Sequence, residues 1–385
     1  MTVEKATSGK IACKICGAYV HSIQMHIKSD HHDWNMELYK TTYPGEPILS
    51  ELALQKIEEA SKKAAVEEKA PINTDGKRAL HELFGLGKVK AAMNARGDSI
   101  NVTSFIGTDI SHPELLQDVD KNYVFEIENL KNAMMAIELK IPMYIWGHAG
   151  TGKTTLLEQI AARTGRMLLR VQHTINTEES HIVGQWTARA GETVFELGPL
   201  AMAMKYGWSY LADEYDFALP SVLSVYQPVL EGKPLVIKEA DAANRIIRPH
   251  PNFRFLATGN TNGAGDDTGL YQGTQVQNAA NYDRFHMVLE IKYMKAALET
   301  QVLMNQAGIS KVDAEKMVDF ANRVRESYEG SKISAPISPR TLIASAQIGL
   351  GKGSYRQGIA LAFANKLSRI DKEVVDGLSQ RLFGD

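Results

Sequence analysis

A run of glycine, lysine and threonine residues has the composition and spacing of a phosphate-binding loop. Residues 147–154 read GHAGTGKT and match the pattern G-x-x-x-x-G-K-[ST]. Glycines let backbone N–H groups curl around phosphate oxygens, Lys153 can reach the β- and γ-phosphates, and the Thr154 hydroxyl can bind Mg²⁺. We predict that the following residues bind the phosphates of a nucleotide: Gly147, His148, Ala149, Gly150, Thr151, Gly152, Lys153, Thr154 and Thr155. His148 is interpreted as a variable residue of this loop rather than as a metal ligand.

Polar residues at the ends of two apolar runs are candidates for the catalytic step. The run WSYLADE ends in Asp213 and Glu214, and the run FRFLATGN ends in Asn260. We predict that Asp213 holds Mg²⁺, that Glu214 polarises the attacking water and that Asn260 orients this water. Taken alone, such an acidic strand end is more often solvated, and Asn260 could belong to a turn before Gly263. The phosphate loop upstream favours the catalytic interpretation.

The elements that must position these residues are predicted from the same apolar runs. MYIWGH precedes the phosphate loop, and the helical pattern TTLLEQIAARTG follows it. Strands that alternate with helices predict a parallel α/β sheet with helices on both faces and ligands at the carboxyl ends of the strands. After about residue 296 the pattern is helical, with one break at residues 335–339, and it predicts a helical lid domain.

The predicted organisation has four parts. They are an N-terminal zinc-finger domain at 1–45, a helical linker at 46–75, the α/β core at 76–295 and the helical lid at 296–385. The linker is rich in Ala, Glu and Lys and has apolar residues at helical spacing, namely Ile48, Leu52, Ile57 and Ala60, before Pro71 ends the run.

The composition excludes several classes of protein. The chain has 385 residues, of which 44% are hydrophobic and 23% charged, as is ordinary for a globular protein of two or three folding units. Its 43 basic and 45 acidic residues leave a net charge of −2, which argues against coating nucleic acid by bulk electrostatics. No apolar stretch is long enough to predict a membrane span, and the first residues lack the apolar region of a secretory signal. We therefore expect a cytoplasmic protein.

Both cysteines of the chain lie near its start, and their spacing predicts a zinc site. Cys13, Cys16 and His26, followed by His31 or His32, form the pattern C-x₂-C-x₉-H-x₄₋₅-H. Two thiolates and two imidazoles make a closed tetrahedral Zn²⁺ site, and we predict Cys13, Cys16, His26 and His31 as the ligands. His21 is a competing ligand. A redox-active CxxC motif is the alternative, but it would require a thioredoxin-like βαβ setting that the sequence does not contain.

This N-terminal segment resembles the Ros/MucR type of bacterial zinc finger, including Gly17 and the later Tyr39-x₃-Tyr43-Pro44. The sequence does not decide whether this finger binds a protein or binds DNA or RNA. Side chains near Ser22, Gln24, Lys28 and Ser29 could contact a nucleic-acid groove. The acidic residues Asp30, Asp33 and Glu37 dilute the positive charge that a strong nucleic-acid binder needs.

The order of phosphate loop, Asp213-Glu214 and Asn260 resembles that of the AAA+ ATPases. Further stretches resemble the MoxR-like branch of that family: Ile182-Val-Gly184 through Phe195-x-x-Gly198-Pro199-Leu200, Asp283-Arg284-Phe285 and Ser338-Pro339-Arg340. Within this branch the chain is most similar to the ATPase subunits of cobaltochelatases. The shared stretches are His81–Gly85, Asp213–Asp216, His250–Arg254 and Thr268–Gln275, and the resemblance covers roughly residues 80–350.

The resemblance implies a homo-hexameric ring with ATP and Mg²⁺ bound between subunits. Arg340 would contact the γ-phosphate in the same chain, and Arg284 would reach the ATP of a neighbouring subunit. Arg245, Arg248 and Arg254 are alternatives for the second role. The resemblance also implies a partner with a von Willebrand A domain and a client protein, which in cobaltochelatase inserts cobalt into a corrin ring.

Three functions compete at this point. The first is a ring ATPase that remodels a partner protein and that could be a chelatase motor. The second is a DNA-binding zinc-finger protein with an attached ATPase motor. The third, a nucleotide-dependent scaffold with little hydrolysis, is disfavoured by the set of Asp213, Glu214, Asn260 and Arg340. The finger has no counterpart in the cobaltochelatase subunits, so it weakens a cobalamin assignment.

Overall fold

The structure is a computed structural model that describes residues 9–55, 76–106, 111–189 and 192–384. The chain divides into two compact units, Met1–Pro71 and Ile72–Asp385. Most of the predicted helical linker, residues 56–75, lies outside the described residues. No helix in the described ranges is both long and apolar enough to cross a membrane.

The first unit is a short hairpin followed by two helices. Strands β1 (Ile11–Ala12) and β2 (Tyr19–Val20) pair antiparallel, and helices α1 (Ile23–Asp30) and α2 (Met36–Thr42) follow. Polar side chains cap both helices, since Ser22 accepts the N–H of Met25 and Asn35 accepts that of Leu38. The small core consists of four buried residues: Cys13, Ile23, Ile27 and Tyr39.

The start of the predicted linker belongs to this first unit. Leu49 forms a β-bridge with Ser22, and the backbone N–H of Ser50 donates to the carbonyl of His21 at 2.9 Å. Residues 51–55 are helical. Ser50 accepts the N–H of Ala53 at 3.2 Å, so a cap fixes the point at which helix begins.

The second unit contains eleven strands and thirteen α-helices within the described residues, besides short 3-10 turns. In chain order the strands are β3 (Gly76–Ala79), β4 (Asn101–Ser104), β5 (Met143–Trp146), β6 (Leu168–Gln172), β7 (Gly184–Arg189), β8 (Glu192–Leu197), β9 (Ser209–Asp213), β10 (Leu235–Val236), β11 (Ile246–Ile247), β12 (Arg254–Gly259) and β13 (Met287–Glu290). The helices are α3 (Leu80–Leu83), α4 (Ile127–Leu139), α5 (Lys153–Thr164), α6 (Glu179–Val183), α7 (Pro199–Tyr206), α8 (Pro220–Leu223), α9 (Gln227–Leu230), α10 (Ala279–Tyr282), α11 (Ala296–Ala307), α12 (Lys311–Glu329), α13 (Pro339–Lys352), α14 (Tyr355–Ala362) and α15 (Arg369–Phe383).

Five of these strands form a parallel sheet in the order β13-β5-β12-β9-β6. The predicted parallel α/β fold is therefore confirmed. Because β12 lies between β5 and β9, the carboxyl ends of these three strands are neighbours. The phosphate loop follows β5, Asp213 is the last residue of β9 and Asn260 follows β12, so all three lie at one edge of the sheet.

Both faces of the sheet are covered. Tyr144, Tyr210 and Phe255 pack into one hydrophobic core with residues of α7, whereas their neighbours Ile145, Leu211 and Leu256 pack into a second core with α4 and α5. Burial on both faces explains why these strands are continuous apolar runs in the sequence rather than alternating ones.

Two hairpins interrupt the α/β pattern. The hairpin β7–β8 lies between α6 and α7, in the segment that resembles the MoxR-like insertion, and the hairpin β10–β11 precedes β12. The indole N–H of Trp186 on β7 donates to the carbonyl of Glu239 at 2.9 Å, which joins the two hairpin segments.

Helices α11 to α15 form the predicted C-terminal helical part around a separate core that includes Phe320, Ile337 and Val375. The break predicted at residues 335–339 is present, since α12 ends at Glu329 and α13 begins at Pro339.

Candidate functional site

The phosphate loop joins the end of β5 to the start of α5, and its glycines are required by its shape. Gly147 has a φ of +148°, and a Cβ atom there would lie 2.2 Å from the carbonyl oxygen of Ile291. Gly152 precedes α5 with a φ of +88°. The loop therefore directs the N-terminus of a twelve-residue helix, with its unpaired N–H groups, towards the cleft.

Lys153 is held at the centre of the cleft. Its Nζ donates to the carbonyls of Gly147 at 2.7 Å and His148 at 3.0 Å, and to Oδ1 of Asn260 at 3.0 Å. Burial lowers the pKa of Lys153 to about 8, against the opposing effect of Asp216 and Asp213. The lysine is thus positioned by three oxygens of the protein itself.

Thr154 and Asp213 form a cluster of oxygen ligands next to this lysine. The Thr154 hydroxyl donates to Oδ1 of Asp213 at 2.8 Å, and the Thr258 hydroxyl donates to the same oxygen. The other oxygen, Oδ2, accepts from Nε of Arg170 at 2.8 Å. A hydroxyl and a carboxylate at this distance suit Mg²⁺, which prefers hard oxygen ligands and usually binds through one or two protein groups together with phosphates.

Glu214 follows Asp213 in an unusual backbone conformation. Its φ of +52° lies in the left-handed region, which is uncommon for a residue with a side chain. Its Oε2 accepts a hydrogen bond from Nε2 of Gln172, at the end of β6, at 2.8 Å. The carboxylate is therefore held at the edge of the cleft by a neighbouring strand.

Asn260 is fixed by a buried carboxylate to which the sequence analysis assigned no role. Oδ2 of Asp216 accepts the backbone N–H of Asn260 at 2.8 Å and both the N–H and the hydroxyl of Thr261 at 2.9 Å. Burial raises the pKa of Asp216, whereas the hydrogen bonds from Thr261 and Asn260 lower it. Asp216 thus sets the position of the amide that contacts Lys153.

Arg340 lies at the start of α13 and borders two adjoining cavities. A cavity of about 190 Å³ contains the phosphate loop, Asp213, Glu214 and Asn260. A second cavity of about 390 Å³ is lined by Tyr123, Val124, Val302, Ile343 and Ala344. One cavity is polar at its base and the other largely apolar, as a triphosphate and a nucleoside would require.

The C-terminal helices contact the phosphate loop directly. A Cβ atom added to Gly150, whose φ is +75°, would lie 2.8 Å from both Cβ and Oγ of Ser338. Ser338 is the N-cap of α13 and accepts the N–H of Thr341. Arg340 is therefore placed by a cap and by close packing against the loop.

The arginines proposed to act on a neighbouring subunit lie in different environments. Arg284 does not line either cavity, and it donates to Oε1 of Glu231 at 2.7 Å and to the carbonyl of Ala280 at 2.6 Å. Arg254 is buried, and its guanidinium donates to the carbonyls of Ile137, Pro251 and Phe253. Such a buried guanidinium cannot reach a neighbouring nucleotide. The two remaining alternatives, Arg245 and Arg248, are exposed.

In the first unit, the predicted zinc ligands come together. One ligand atom from each of Cys13, Cys16, His26 and His31 lies within 4.8 Å of the others. Cys16 Sγ is 3.1 Å from Nε2 of His26, and Cys13 Sγ is 3.9 Å from Nε2 of His31. The competing His21 instead lies 2.9 Å from the hydroxyl of Ser50. Two soft sulfurs and two imidazole nitrogens form a donor set that fits tetrahedral Zn²⁺.

Comparison with known proteins divides the second unit into two family matches. Residues 142–285 match the family described as AAA domain (dynein-related subfamily), and residues 299–382 match the family described as CbbQ/NirQ/NorQ C-terminal. The first match ends just before β13 and the second begins within the first turn of α11.

Two relatives extend across most of this unit. The chain is 32% identical to the aerobic cobaltochelatase subunit CobS of Sinorhizobium sp over 278 residues, which cover 69% of this chain and 82% of the relative. It is 24% identical to the protein NorQ of Paracoccus denitrificans, with 62% of this chain and 84% of the relative covered. Among solved structures, RuvB of Thermotoga maritima, a Holliday junction branch migration motor, is 15% identical with a TM-score of 0.40, over 70% of this chain and 73% of that one.

Proposed function

This chain belongs to the MoxR-like AAA+ ATPases related to CobS, NorQ and CbbQ, and we propose that it hydrolyses ATP to remodel a partner protein. One observation carries the proposal. The hydroxyl of Thr154 meets Asp213 at 2.8 Å while Lys153 meets Asn260 at 3.0 Å, so the groups needed for phosphoryl transfer converge on one cleft.

Each residue of the cleft has a role in this proposal. The amides of the phosphate loop and Lys153 hold the β- and γ-phosphates. Thr154 and Asp213 would hold Mg²⁺, which neutralises charge on the phosphates when it is bound. Glu214 accepts a hydrogen bond from water as the water attacks the γ-phosphorus and the bond to the ADP oxygen breaks. Asn260 orients this water.

Arg340 completes the site within the chain. From the border between the two cavities it can approach the γ-phosphate once the nucleoside lies in the larger one. We infer that it stabilises the charge that develops on the transferred phosphoryl group.

The resemblance to AAA+ ATPases supports a homo-hexameric ring in which a neighbouring subunit supplies a further arginine. Arg284 is the first candidate for this arginine, with Arg245 and Arg248 as alternatives. The side chain of Arg284 is 27% exposed, and its ion pair with Glu231 would have to open or to orient it towards the neighbour. Replacing each arginine in turn and measuring ATP turnover in mixed rings tests this assignment.

The partner of the ring is proposed from its relatives. The similarity to CobS supports a partner with a von Willebrand A domain and a motor role in a cobaltochelatase-type reaction. Among the described residues, the Cys/His cluster of the first unit is the one group that could hold a metal ion, so we propose that chelation belongs to a client protein.

We also propose that the first unit is a zinc finger with Cys13, Cys16, His26 and His31 as ligands. His26 supports this assignment, since its second ring nitrogen lies 2.7 Å from Oδ2 of Asp30, as an oriented metal ligand requires. We propose that this finger docks a protein. A DNA-directed function has less support, since α1 carries Lys28 as its only lysine or arginine and Asp30 follows it closely.

Phosphate release by the full-length chain with Mg²⁺ and ATP tests the proposed activity. We expect turnover by the wild type and a loss to background for Lys153→Ala, because the γ-phosphate then loses its main cation. Equal rates for the two proteins would contradict the proposal. Sedimentation of the wild type with ATP measures ring formation separately.

A further inference from the structure

The hydroxyl of Tyr271 contacts the phosphate loop without lining the nucleotide cleft. It accepts the backbone N–H of Ala149 at 3.0 Å and lies 2.8 Å from Nδ1 of His148. Tyr271 and His148 border a third cavity, of about 410 Å³, which is distinct from the two cavities that contain Arg340. The first half of the loop is therefore held from a side that the nucleotide does not occupy.

Tyr271 is itself fixed by a turn. Oδ2 of Asp266 accepts the N–H of Tyr271 at 2.7 Å, and Oδ1 accepts the N–H and the hydroxyl of Thr268 at 3.0 and 2.9 Å. Further along the segment, the N–H of Gln275 donates to the carbonyl of Asp216 at 2.7 Å. The segment thus presents the Tyr271 hydroxyl from a defined position and is bonded to the backbone of Asp216, the residue whose carboxylate holds Asn260.

His148 connects the same loop to the C-terminal helices. Its ring stacks on Tyr293 with centroids 5.5 Å apart and an interplanar angle of 4°. The guanidinium carbon of Arg325, on α12, lies 4.1 Å from the centre of the Tyr293 ring. Arg325 is in turn anchored by two hydrogen bonds of 2.7 Å to Glu299 on α11. A continuous stack therefore runs from the phosphate loop to the helical part.

We propose that Tyr271 and His148 are positioning residues that hold the phosphate loop in its nucleotide-binding shape. Tyr271 acts through the amide of Ala149, and His148 acts through the stack on Tyr293. The proposal rests on the proposed function, because it concerns the nucleotide site of that ATPase. It assigns to His148 a role other than that of a variable loop residue.

The physical reason lies in the glycines. Three positive-φ glycines, Gly147, Gly150 and Gly152, leave the loop many alternative shapes, and a loop that is ordered beforehand loses less entropy when a ligand binds. The benefit is the same for ATP and ADP and is already present in the ground state. Loss of the contact should therefore weaken nucleotide binding and leave the chemical step unchanged.

The test is Tyr271→Phe in the full-length chain, because this change removes only a hydroxyl. Titration with fluorescent N-methylanthraniloyl ADP and Mg²⁺ gives Kd, and phosphate release gives kcat and KM for ATP. We expect Kd and KM to rise severalfold and at most roughly tenfold, as loss of one hydrogen bond predicts, while kcat stays within about twofold. His148→Ala should raise Kd in the same direction.

Tyr328→Phe is the matched control. Tyr328 borders the same cavity, and within the described residues its hydroxyl makes no hydrogen bond, so its loss should leave Kd unchanged. An unchanged Kd in Tyr271→Phe, or a fall in kcat alone, overturns the positioning role while the ATPase function stands. Failure of the wild type to bind the ADP probe would overturn both proposals.

Discussion

The nucleotide cleft and the Cys/His cluster each gather a few polar side chains, but the two regions are held in different ways. In the cleft, Lys153 is bonded to Asn260 and Asp213 to Thr154, on a sheet with a hydrophobic core on each face. In the first unit, Cys13 is both a member of the ligand cluster and one of four buried core residues. The cleft is shaped by its fold, whereas the small unit uses its cluster as part of its core.

This difference teaches where a ligand is needed for folding. On the proposed zinc-finger assignment, a unit whose core has four buried residues would depend on the bonds that a metal adds. In the cleft at the edge of the five-stranded sheet, the polar groups are bonded to one another, so we expect the cleft to keep its shape without a ligand.

Metal removal should give the largest effect, and it should be confined to the first unit. Binding of structural Zn²⁺ supplies on the order of 10 kcal/mol in small fingers, so Cys13→Ser or a chelator should unfold residues 9–55. Hydrogen exchange on the full-length chain should show lost protection there and unchanged protection in β5, β9 and β12. His32→Ala, which alters a histidine outside the cluster, is the control. Retained protection of residues 9–55 without metal would show that the first unit, like the cleft, keeps its structure without a ligand.

The second prediction concerns catalysis in the preformed cleft. Glu214→Gln should lower kcat by roughly 10²–10⁴, because the amide cannot act as a base, while the Kd for ATP stays near that of the wild type. Rapid-quench assays and nucleotide titration measure the two quantities. Glu315→Gln is a suitable control, since Glu315 pairs with Lys311 at 3.8 Å and borders neither cavity. Normal turnover in Glu214→Gln would show that another group activates the water.

The third prediction concerns the support of Asn260. Asp216→Ala should lower kcat about tenfold to a hundredfold and reduce Tm, because the N–H of Asn260 and two buried donors of Thr261 lose their acceptor. Asp216→Asn should retain most of the activity, since one oxygen accepts all three bonds and Oδ1 has no partner among the described residues. Equal loss in both variants would indicate that the charge matters rather than the acceptor.

The smallest expected effect is a pH dependence of nucleotide affinity. The pKa of Lys153 in the free protein is about 8, and bound phosphates favour its charged form. Binding then takes up a proton above pH 8, so affinity should fall about fivefold between pH 8 and 9. Lys153→Arg stays charged throughout and should show a flat profile. Equal slopes for the two proteins would contradict this titration.

The parallel fold was predictable because three central strands are continuous apolar runs. Strands β6 and β13 were not recognised, since they lie at the two edges of the sheet and alternate between less and more exposed residues. The signal of a buried strand is weaker there.

The candidate residues of the cleft could be predicted from their spacing in the sequence. The residues that hold them in place could not. Gln172 pairs in register with Asp213 across β6 and β9, so its contact with Glu214 depends on a strand that is distant in sequence. Asp216 supports Asn260 across 44 residues. In the Cys/His cluster, the spacing does not decide whether His31 or His32 is the fourth ligand. His31 is the C-cap of α1, and its ring nitrogen is the one that joins the cluster.

The packing of Gly150 against Ser338 leaves no free space between the phosphate loop and the start of α13. A methyl group added to Gly150 would lie 2.8 Å from both Cβ and Oγ of Ser338, so the start of α13 is already in close contact with the phosphate loop. A larger side chain at this position would have to push the two apart. Gly150→Ala would therefore separate the start of α13 from the phosphate loop and displace Arg340 from the phosphates.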